Sequence, residues 1–211
     1  MPGMPPKTSV KGADITDIVR MPSFSYPDKA PLEKNNFFSA LCEAAFMTGL
    51  ERNADHVHMA TYAPLLAHVR GWQWDPDLIW FDNLNTVRTP NYYVQQMYGQ
   101  NSGTDVLSIL EDGKKIIGED GLYATACYDS ESGDYIVKIV NAAADSRSVS
   151  VSFQGLKSLG DGTVTTLHAG DADYNSIEKK DVVVPVKKAL SVKGNVLDVT
   201  VPARSFQIYR F

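Results

Sequence analysis

The chain has 211 residues, a net charge of −5 and a hydrophobic content of 44%, ordinary values for a globular protein of one large or two small domains. Because 25 acidic residues outnumber 20 basic ones, no basic excess exists to neutralise phosphates, and we expect no nucleic-acid partner. No apolar run reaches the length of a membrane span, and the N-terminus lacks the regions of a signal peptide. We therefore expect no membrane partner, and the compartment (cytoplasmic, periplasmic or secreted) stays open.

The N-terminal segment, residues 1–34, contains six prolines and little periodicity. Proline lacks a backbone donor and disfavours helix in the residue before it. The sequence therefore predicts a poorly ordered or loop-like segment over residues 1–34.

The pattern over residues 35–99 alternates between helix and strand, which predicts a portion of an α/β barrel or of a doubly wound sheet. The first helix is apolar on most sides, as expected where a large core surrounds it. The predicted elements are a helix over Phe37–Arg52 capped by Asn36, a strand at His56–Ala60, a helical turn within Tyr62–His68, a buried strand at Leu78–Phe81, and a helix over Asn91–Tyr98 opened by Pro90.

After Gly99 the pattern changes to short strands separated by Gly, Asn, Asp and Ser, which is typical of an antiparallel sandwich. We place a domain boundary near Gly99–Thr104, with the sandwich over residues 100–211. The strand candidates are Val106–Leu110, Leu122–Tyr128, Tyr135–Asn141, Ser148–Phe153, Thr163–His168, Val182–Val186, Val196–Val201 and Phe206–Phe211. The predicted fold is thus α+β and mainly β: a partial (β/α) barrel followed by an antiparallel, jelly-roll-like β-sandwich.

Two tryptophans, Trp72 and Trp74, lie two residues apart beside acidic and amide side chains. In an extended loop they share a side, where their rings suit the apolar C–H faces of a sugar. The alternative is that they pack a junction between barrel and sandwich. Trp80 lies within an apolar strand and is predicted to be core.

Metal-binding and disulfide patterns are weak. His56 and His58 share one face of the predicted strand, but no third ligand is visible, and zinc needs three or four. Cys42 and Cys127 are too few for a disulfide framework and are predicted to be buried thiols. We therefore expect no metal and no cofactor.

Several motifs, in order, resemble the α-L-arabinofuranosidases of glycoside hydrolase family fifty-one over residues 34–211. The resemblance implies the end of a (β/α)8 catalytic barrel joined to a C-terminal β-sandwich. The motifs are the helix segment 38–55, Met59-Ala-Thr-Tyr-Ala-Pro-Leu65, Trp74-Asp-Pro-Asp-Leu-Ile-Trp-Phe-Asp-Asn83, Pro90-Asn-Tyr-Tyr-Val-Gln-Gln96, and the tail segments 175–185 and 197–206.

The resemblance also implies a function and a set of site residues. Members of the family release terminal arabinofuranose from polymers with retention of configuration. The loop after the last barrel strand helps to wall the sugar pocket, which makes Tyr62, Trp72 and Trp74 candidates for substrate binding, with His58 at the pocket edge. Some members carry a Gln where Pro64 stands here, so that polar contact is not carried over.

The family's two catalytic glutamates have no counterpart in this sequence by the same mapping. Nothing in residues 1–34 matches the nucleophile motif, and Glu33 lacks its context. Glu43 and Glu51 lie roughly 12 Å apart along a helix, whereas retaining chemistry needs carboxyl groups about 5–5.5 Å apart. We therefore expect Glu43 and Glu51 to form a solvated stripe or structural salt bridges, and we expect at most sugar binding for Asp82.

Two functional hypotheses follow. In the first, the chain is the C-terminal part of a retaining α-L-arabinofuranosidase, acting on arabinose-containing polysaccharide or oligosaccharide with a barrel portion or a homo-oligomer as partner. In the second, it is a non-catalytic carbohydrate-binding or structural module.

Overall fold

The computed structural model describes residues 35–72 and 76–211, and the predictions for residues 1–34 and for Trp74 lie outside this part. Within the described ranges the chain forms two helices and thirteen short strands. No helix in these ranges is long and apolar enough to cross a membrane.

The first helix, α1 (Phe37–Arg52), begins where it was predicted. The Asn36 side chain accepts a hydrogen bond from the Ser39 backbone N–H at 2.9 Å, which satisfies one of the otherwise unpaired donors of the first turn. Phe37 and Leu41 are fully buried. The predicted wide apolar face is therefore confirmed.

A small three-stranded sheet follows, made of β1 (Leu66–His68), β2 (Ile79–Phe81) and β3 (Thr86–Arg88). The order is β1-β2-β3, with β1 parallel to β2 and β2 antiparallel to β3. The helical turn predicted within Tyr62–His68 is wrong, because the end of that segment pairs as β1.

The strand predicted at His56–Ala60 is also wrong. The backbone N–H groups of His56 and Val57 both donate to the Asn53 carbonyl at 2.9 Å, so a turn prolongs the end of α1. The rest of the segment is irregular. A strand needs a neighbour to satisfy its ladder of donors and acceptors, and none pairs with this segment in the described part of the chain.

The second helix, α2 (Pro90–Gly99), packs against α1. Thr89 caps it by accepting from the Tyr92 N–H at 3.3 Å, and Pro90 occupies the first turn as predicted. The Tyr98 hydroxyl donates to the Ala44 carbonyl of α1 at 2.8 Å, so a buried hydrogen bond reinforces the apolar contact between the helices.

The remaining strands form the body of the protein. They are β4 (Asp105–Leu107), β5 (Leu110–Glu111), β6 (Lys114–Lys115), β7 (Leu122–Asp129), β8 (Asp134–Asn141), β9 (Arg147–Ser152), β10 (Gly160–His168), β11 (Val186–Val192), β12 (Val196–Val201) and β13 (Ser205–Arg210). Six of them make an antiparallel sheet in the order β11-β10-β13-β8-β7-β4. A two-stranded sheet of β9 and β12 packs on one face of this sheet, and β5 and β6 form a separate hairpin.

The central strands are buried on both faces, which explains their nearly continuous apolar sequences. In β8, Ile136 and Val140 pack against the two helices, whereas Val137 and Ile139 pack against the β9–β12 layer. This is the alternation that a pleated strand imposes. The predicted α+β fold, mainly an antiparallel sandwich and without a closed barrel among the described residues, is confirmed; the domain boundary at Gly99–Thr104 stays a prediction.

One strand of the sandwich lies later than predicted. The valine run Val182–Val186 is not a strand, because the Asn175 side chain holds it in a loop. The Asn175 amide donates to the Val183 carbonyl at 2.9 Å and accepts from the Val183 N–H at 2.7 Å. The strand β11 therefore starts only at Val186. The predicted Val106–Leu110 strand is split between β4 and β5.

Candidate functional site

A cleft of about 900 Å³ lies between the three-stranded sheet and the loop at residues 175–178. One wall comes from β1, β2 and the turn that joins β2 to β3. The other wall is the loop, which is anchored to the first wall because the Asn175 amide donates to the Arg88 carbonyl at 2.9 Å. The Lys180 ammonium adds a second tie by donating to the Asn85 amide oxygen of the turn at 2.8 Å.

The aromatic part of the cleft is a tryptophan pair. Trp72 and Trp80 meet edge to face with ring centroids 5.7 Å apart and an interplanar angle of 76°, a favoured geometry for aromatic pairs. Trp72 is 53% exposed, so it offers ring surface to a ligand. Trp80 was predicted to be core; it is only half-buried and lines the cleft behind Trp72.

A histidine and an amide form the polar part of the same wall. The His68 Nδ1 atom accepts from the Arg70 backbone N–H at 3.1 Å. This nitrogen therefore carries no proton, and the neutral ring bears its proton on Nε2. The His68 Nε2 atom lies 3.3 Å from the Asn83 amide oxygen, so the imidazole donates to Asn83.

Asp82 has a structural role at the tip of the cleft. Its carboxylate accepts from the Leu84 N–H at 2.7 Å and from the Asn85 N–H at 2.5 Å. Hydrogen bonding, above all from the Leu84 N–H, lowers the pKa of Asp82 below its usual value. The carboxylate thus closes the β2–β3 turn and is occupied by the backbone rather than held ready for a ligand.

Asn35 lines the cleft immediately before the start of α1. Its side-chain amide donates to the Tyr62 hydroxyl at 2.9 Å, and its amide oxygen is enclosed without a hydrogen-bond partner. Tyr62 is therefore connected to the cleft through Asn35. The sequence reasoning did not identify Asn35, because nothing in its local sequence separates it from the neighbouring cap residue Asn36.

The four predicted sugar-contacting residues are placed differently. Trp72 lines the cleft, Tyr62 reaches it through Asn35, and Trp74 lies outside the described residues. His58 is exposed and does not line the cleft. Its predicted companion, His56, instead pairs with Asp55 at 2.9 Å, and the described ranges hold no cluster of three or more metal-binding side chains.

The glutamates of α1 are tied into the structure. Glu43 accepts hydrogen bonds from the Asn91 and Gln95 amides of α2, and burial raises its pKa. Glu51 pairs with the Lys138 ammonium of β8, a side chain with no exposed surface. The structural salt bridge expected for Glu51 is confirmed, whereas Glu43 is partly buried and bound by neutral amides instead of lying on a solvated stripe.

The burial predicted for the two free cysteines is confirmed for Cys127 only. Cys127 is buried in the core and Cys42 is partly buried. Burial raises the pKa of the Cys42 thiol to about 11 and also raises the pKa of Cys127. Neither thiol is therefore an activated nucleophile at neutral pH.

The sequence profile of the α-L-arabinofuranosidase C-terminal domain matches residues 19–205. The chain belongs to the α-L-arabinofuranosidase C-terminal domain family. A probable α-L-arabinofuranosidase A from Aspergillus terreus is 37% identical over 175 residues, and α-L-arabinofuranosidase 1 from Arabidopsis thaliana is 32% identical over 181 residues. Each match takes in 82% of this chain and 26% of the relative. This C-terminal domain thus spans about a quarter of the length of the curated relatives that it matches.

Solved structures place the C-terminal domain in the same architecture. An arabinose-bound GH51 α-L-arabinofuranosidase shares a TM-score of 0.76 and 31% identity, covering 85% of this chain and 28% of that chain. The arabinose complex of the Thermotoga maritima α-L-arabinofuranosidase shares a TM-score of 0.68 at 18% identity, covering 89% of this chain and 41% of that chain. The second comparison concerns the fold alone. The predicted resemblance is confirmed.

Proposed function

We propose that the chain works as the C-terminal part of a retaining α-L-arabinofuranosidase that removes terminal α-L-arabinofuranosyl residues from hemicellulose or pectin side chains. The observation that carries this proposal is the family match over residues 19–205. Relatives at 37% and 32% identity have names that agree on this activity. The aromatic and amide-lined cleft is the part of the domain suited to the sugar.

In the intact enzyme, we propose, this domain forms one wall of the substrate-binding site. Trp72 offers an exposed ring face, which suits the apolar face of a sugar. Tyr62 accepts a hydrogen bond from the Asn35 amide, which lines the same cleft. On the family resemblance we assign Trp74 to this wall, and His58, which lies outside the cleft lining, to the edge of the sugar pocket in the intact enzyme. Binding and orientation of the substrate are thus the roles that we propose for this chain.

The chemistry itself needs two carboxyl groups about 5–5.5 Å apart, one as nucleophile and one as acid and base. We propose that this pair comes from residues outside this sequence. Supporting this, Glu43 is held by two amides and Glu51 by a buried ammonium. Asp82 is held by backbone N–H groups.

Exposed apolar side chains in the segment 59–84 support a partner. Met59 is 82% exposed, Leu66 is 62% exposed and Leu84 is 93% exposed. Among the described residues, strand β1 stands at the edge of its sheet, and an edge strand can pair with a further strand. We propose that barrel segments, or else a second copy of the chain, cover these side chains. A compact, stable monomer in light scattering would contradict this.

The catalytic assignment is tested with an aryl α-L-arabinofuranoside. The purified chain, assayed alone, should release no more aryl alcohol than buffer, because Glu43, Glu51 and Asp82 are engaged in structural contacts. Turnover that is abolished by Glu43→Gln or Glu51→Gln would place the catalytic pair in this chain and overturn the assignment. Gln154→Ala, which truncates an exposed amide of the sandwich, is the matched control.

A further inference from the structure

We infer that the side-chain amide of Asn83, oriented by His68, is a saccharide-recognising hydrogen-bond donor in the cleft. Its ligand is a neutral arabinose-containing oligosaccharide. This inference rests on the proposed function and deepens it, because it names a specificity-determining residue that neither the family motifs nor the cleft aromatics identify. Asn83, His68 and Trp72 all line the cleft.

The orientation of the Asn83 amide follows from a chain of hydrogen bonds. The Arg70 backbone N–H fixes His68 Nδ1 as an acceptor at 3.1 Å, so only Nε2 of the neutral ring carries a proton. That proton faces the Asn83 oxygen at 3.3 Å. The acceptor edge of the amide is thereby occupied, and the two N–H donors of Asn83 are directed away from the imidazole.

The imidazole is itself held in place. Its ring meets the Phe81 ring edge to face at a centroid distance of 5.3 Å, and His68 pairs with Phe81 across β1 and β2. His68 is partly buried, whereas Asn83 is exposed. Because the imidazole holds the Asn83 amide in one orientation before a ligand arrives, binding loses little conformational entropy in ordering this side chain.

The charges of the cleft favour a neutral ligand. Its charged side chains are one guanidinium, Arg70, and two carboxylates, Asp82 and Glu178. One oxygen of Asp82 accepts the backbone N–H groups of the turn that it closes, and the Glu178 carboxylate accepts from the Ser176 hydroxyl at 2.8 Å. No cluster of cations is present in the described lining to hold a phosphate or a uronate.

The size of the cleft favours more than one sugar unit. Its volume of about 900 Å³ is near the upper end of the range of about 300–1,000 Å³ for ligand sites. Trp72 and Asn83 line the same cleft, so an oligosaccharide that fills it meets both the Trp72 ring and the amide N–H groups of Asn83, which suit hydroxyl and ring oxygens as acceptors. Neighbouring units would extend along the 175–178 loop.

The test is isothermal titration of the chain with α-1,5-linked arabinotetraose. Asn83→Leu keeps the size of the side chain and removes its polar atoms, and Asn83→Asp keeps an acceptor for His68 while removing both donors. Loss of one hydrogen bond of ordinary strength corresponds to about a tenfold lower affinity, which we expect for both variants. Gln154→Ala, the matched exposed amide outside the cleft, should leave the affinity unchanged.

A second readout separates recognition from structural support. In a ¹H–¹⁵N spectrum, the side-chain amide resonances of Asn83 should shift on addition of arabinotetraose. Unaltered affinity in both Asn83 variants, with unshifted resonances, would overturn the inference while leaving the catalytic assignment of the family untouched. Equal affinity for a phosphorylated pentose would overturn the assignment of a neutral ligand.

Discussion

The buried ion pair between Lys138 and Glu51 should be the most sensitive polar contact between the helices and the sheet. The Lys138 side chain has no exposed surface and that of Glu51 is 16% exposed. The ammonium also lies 5.3 Å from the centre of the Tyr98 ring of α2. The perturbation is Lys138→Met, which keeps the aliphatic stem and removes the charge.

The expected cost follows from the carboxylate that remains. Removing one partner of a buried pair costs about 3–5 kcal/mol, because the other charge stays desolvated. Among the described residues, one oxygen of Glu51 has no hydrogen-bond partner, and the other keeps only a weak contact from the Cys127 thiol at 3.9 Å once the ammonium is gone. We expect Lys138→Met to lower the free energy of unfolding by about 3 kcal/mol.

Urea denaturation followed by circular dichroism measures this cost. The matched control is Arg147→Ala, which breaks the half-exposed pair of Arg147 and Asp120 and should cost at most about 1 kcal/mol. The double variant Lys138→Met, Glu51→Leu should be more stable than Lys138→Met alone, since no unpaired charge remains. A cost for Lys138→Met no larger than that of Arg147→Ala would refute the reasoning.

Three further predictions concern the cleft wall and the sandwich. Asn175→Ala should lower the free energy of unfolding by about 3 kcal/mol in urea denaturation. It leaves the two buried backbone groups of Val183 and the partly buried Arg88 carbonyl without their side-chain partner; a loss below that of Gln154→Ala would contradict this. Asp82→Ala should lower Tm at neutral pH. Because the pKa of Asp82 is lowered in the folded protein, its carboxylate stabilises the fold above about pH 4, and this stabilisation is lost as the pH falls through the folded pKa. The difference in Tm between the variant and the unaltered chain should therefore vanish in acid; a difference that stays constant with pH would contradict this prediction. Gly118→Ala should destabilise more than Gly133→Ala in thermal unfolding. Both glycines have a positive φ, 93° at Gly118 and 80° at Gly133. Only a Cβ at Gly118 would collide with a side chain, the buried Tyr123 ring, at 2.1 Å. Equal losses of Tm in the two variants would contradict the steric account.

Local signals sufficed for much of the fold. The helix at Phe37–Arg52 was predictable because its cap and its apolar face are encoded within the helix itself. The central strands β7, β8 and β13 were predictable because burial on both faces leaves nearly continuous apolar runs. These features need no knowledge of distant residues.

The errors arose where distant partners decide the structure. The His56–Ala60 segment has the composition of a strand, but no strand lies beside it in the described part of the chain. The Val182–Val186 run has strong strand propensity, yet the side chain of Asn175 satisfies its backbone instead. Strand propensity depends on the local sequence, so it predicts neither the missing neighbour of the first segment nor the side-chain partner of the second.

The candidate site was only half predictable. Trp72, which lines the cleft, was a candidate because it lies two residues from Trp74 beside acidic and amide side chains, and because the family resemblance places this loop at the sugar pocket. His68 and the 175–178 loop were missed because they join the cleft only through tertiary folding. Asn83 ends a motif that was recognised, but its role depends on the imidazole that orients it.

The central claim, that this chain carries a sugar-binding wall, is tested most directly by titrating arabinotetraose into the chain and into Trp72→Ala. We expect measurable binding that falls about tenfold or more when the exposed ring is removed. Leu110→Ala, which truncates a half-exposed apolar side chain outside the cleft, should bind as the unaltered chain does. Binding that is absent in the unaltered chain, or that survives Trp72→Ala in full, would contradict the account.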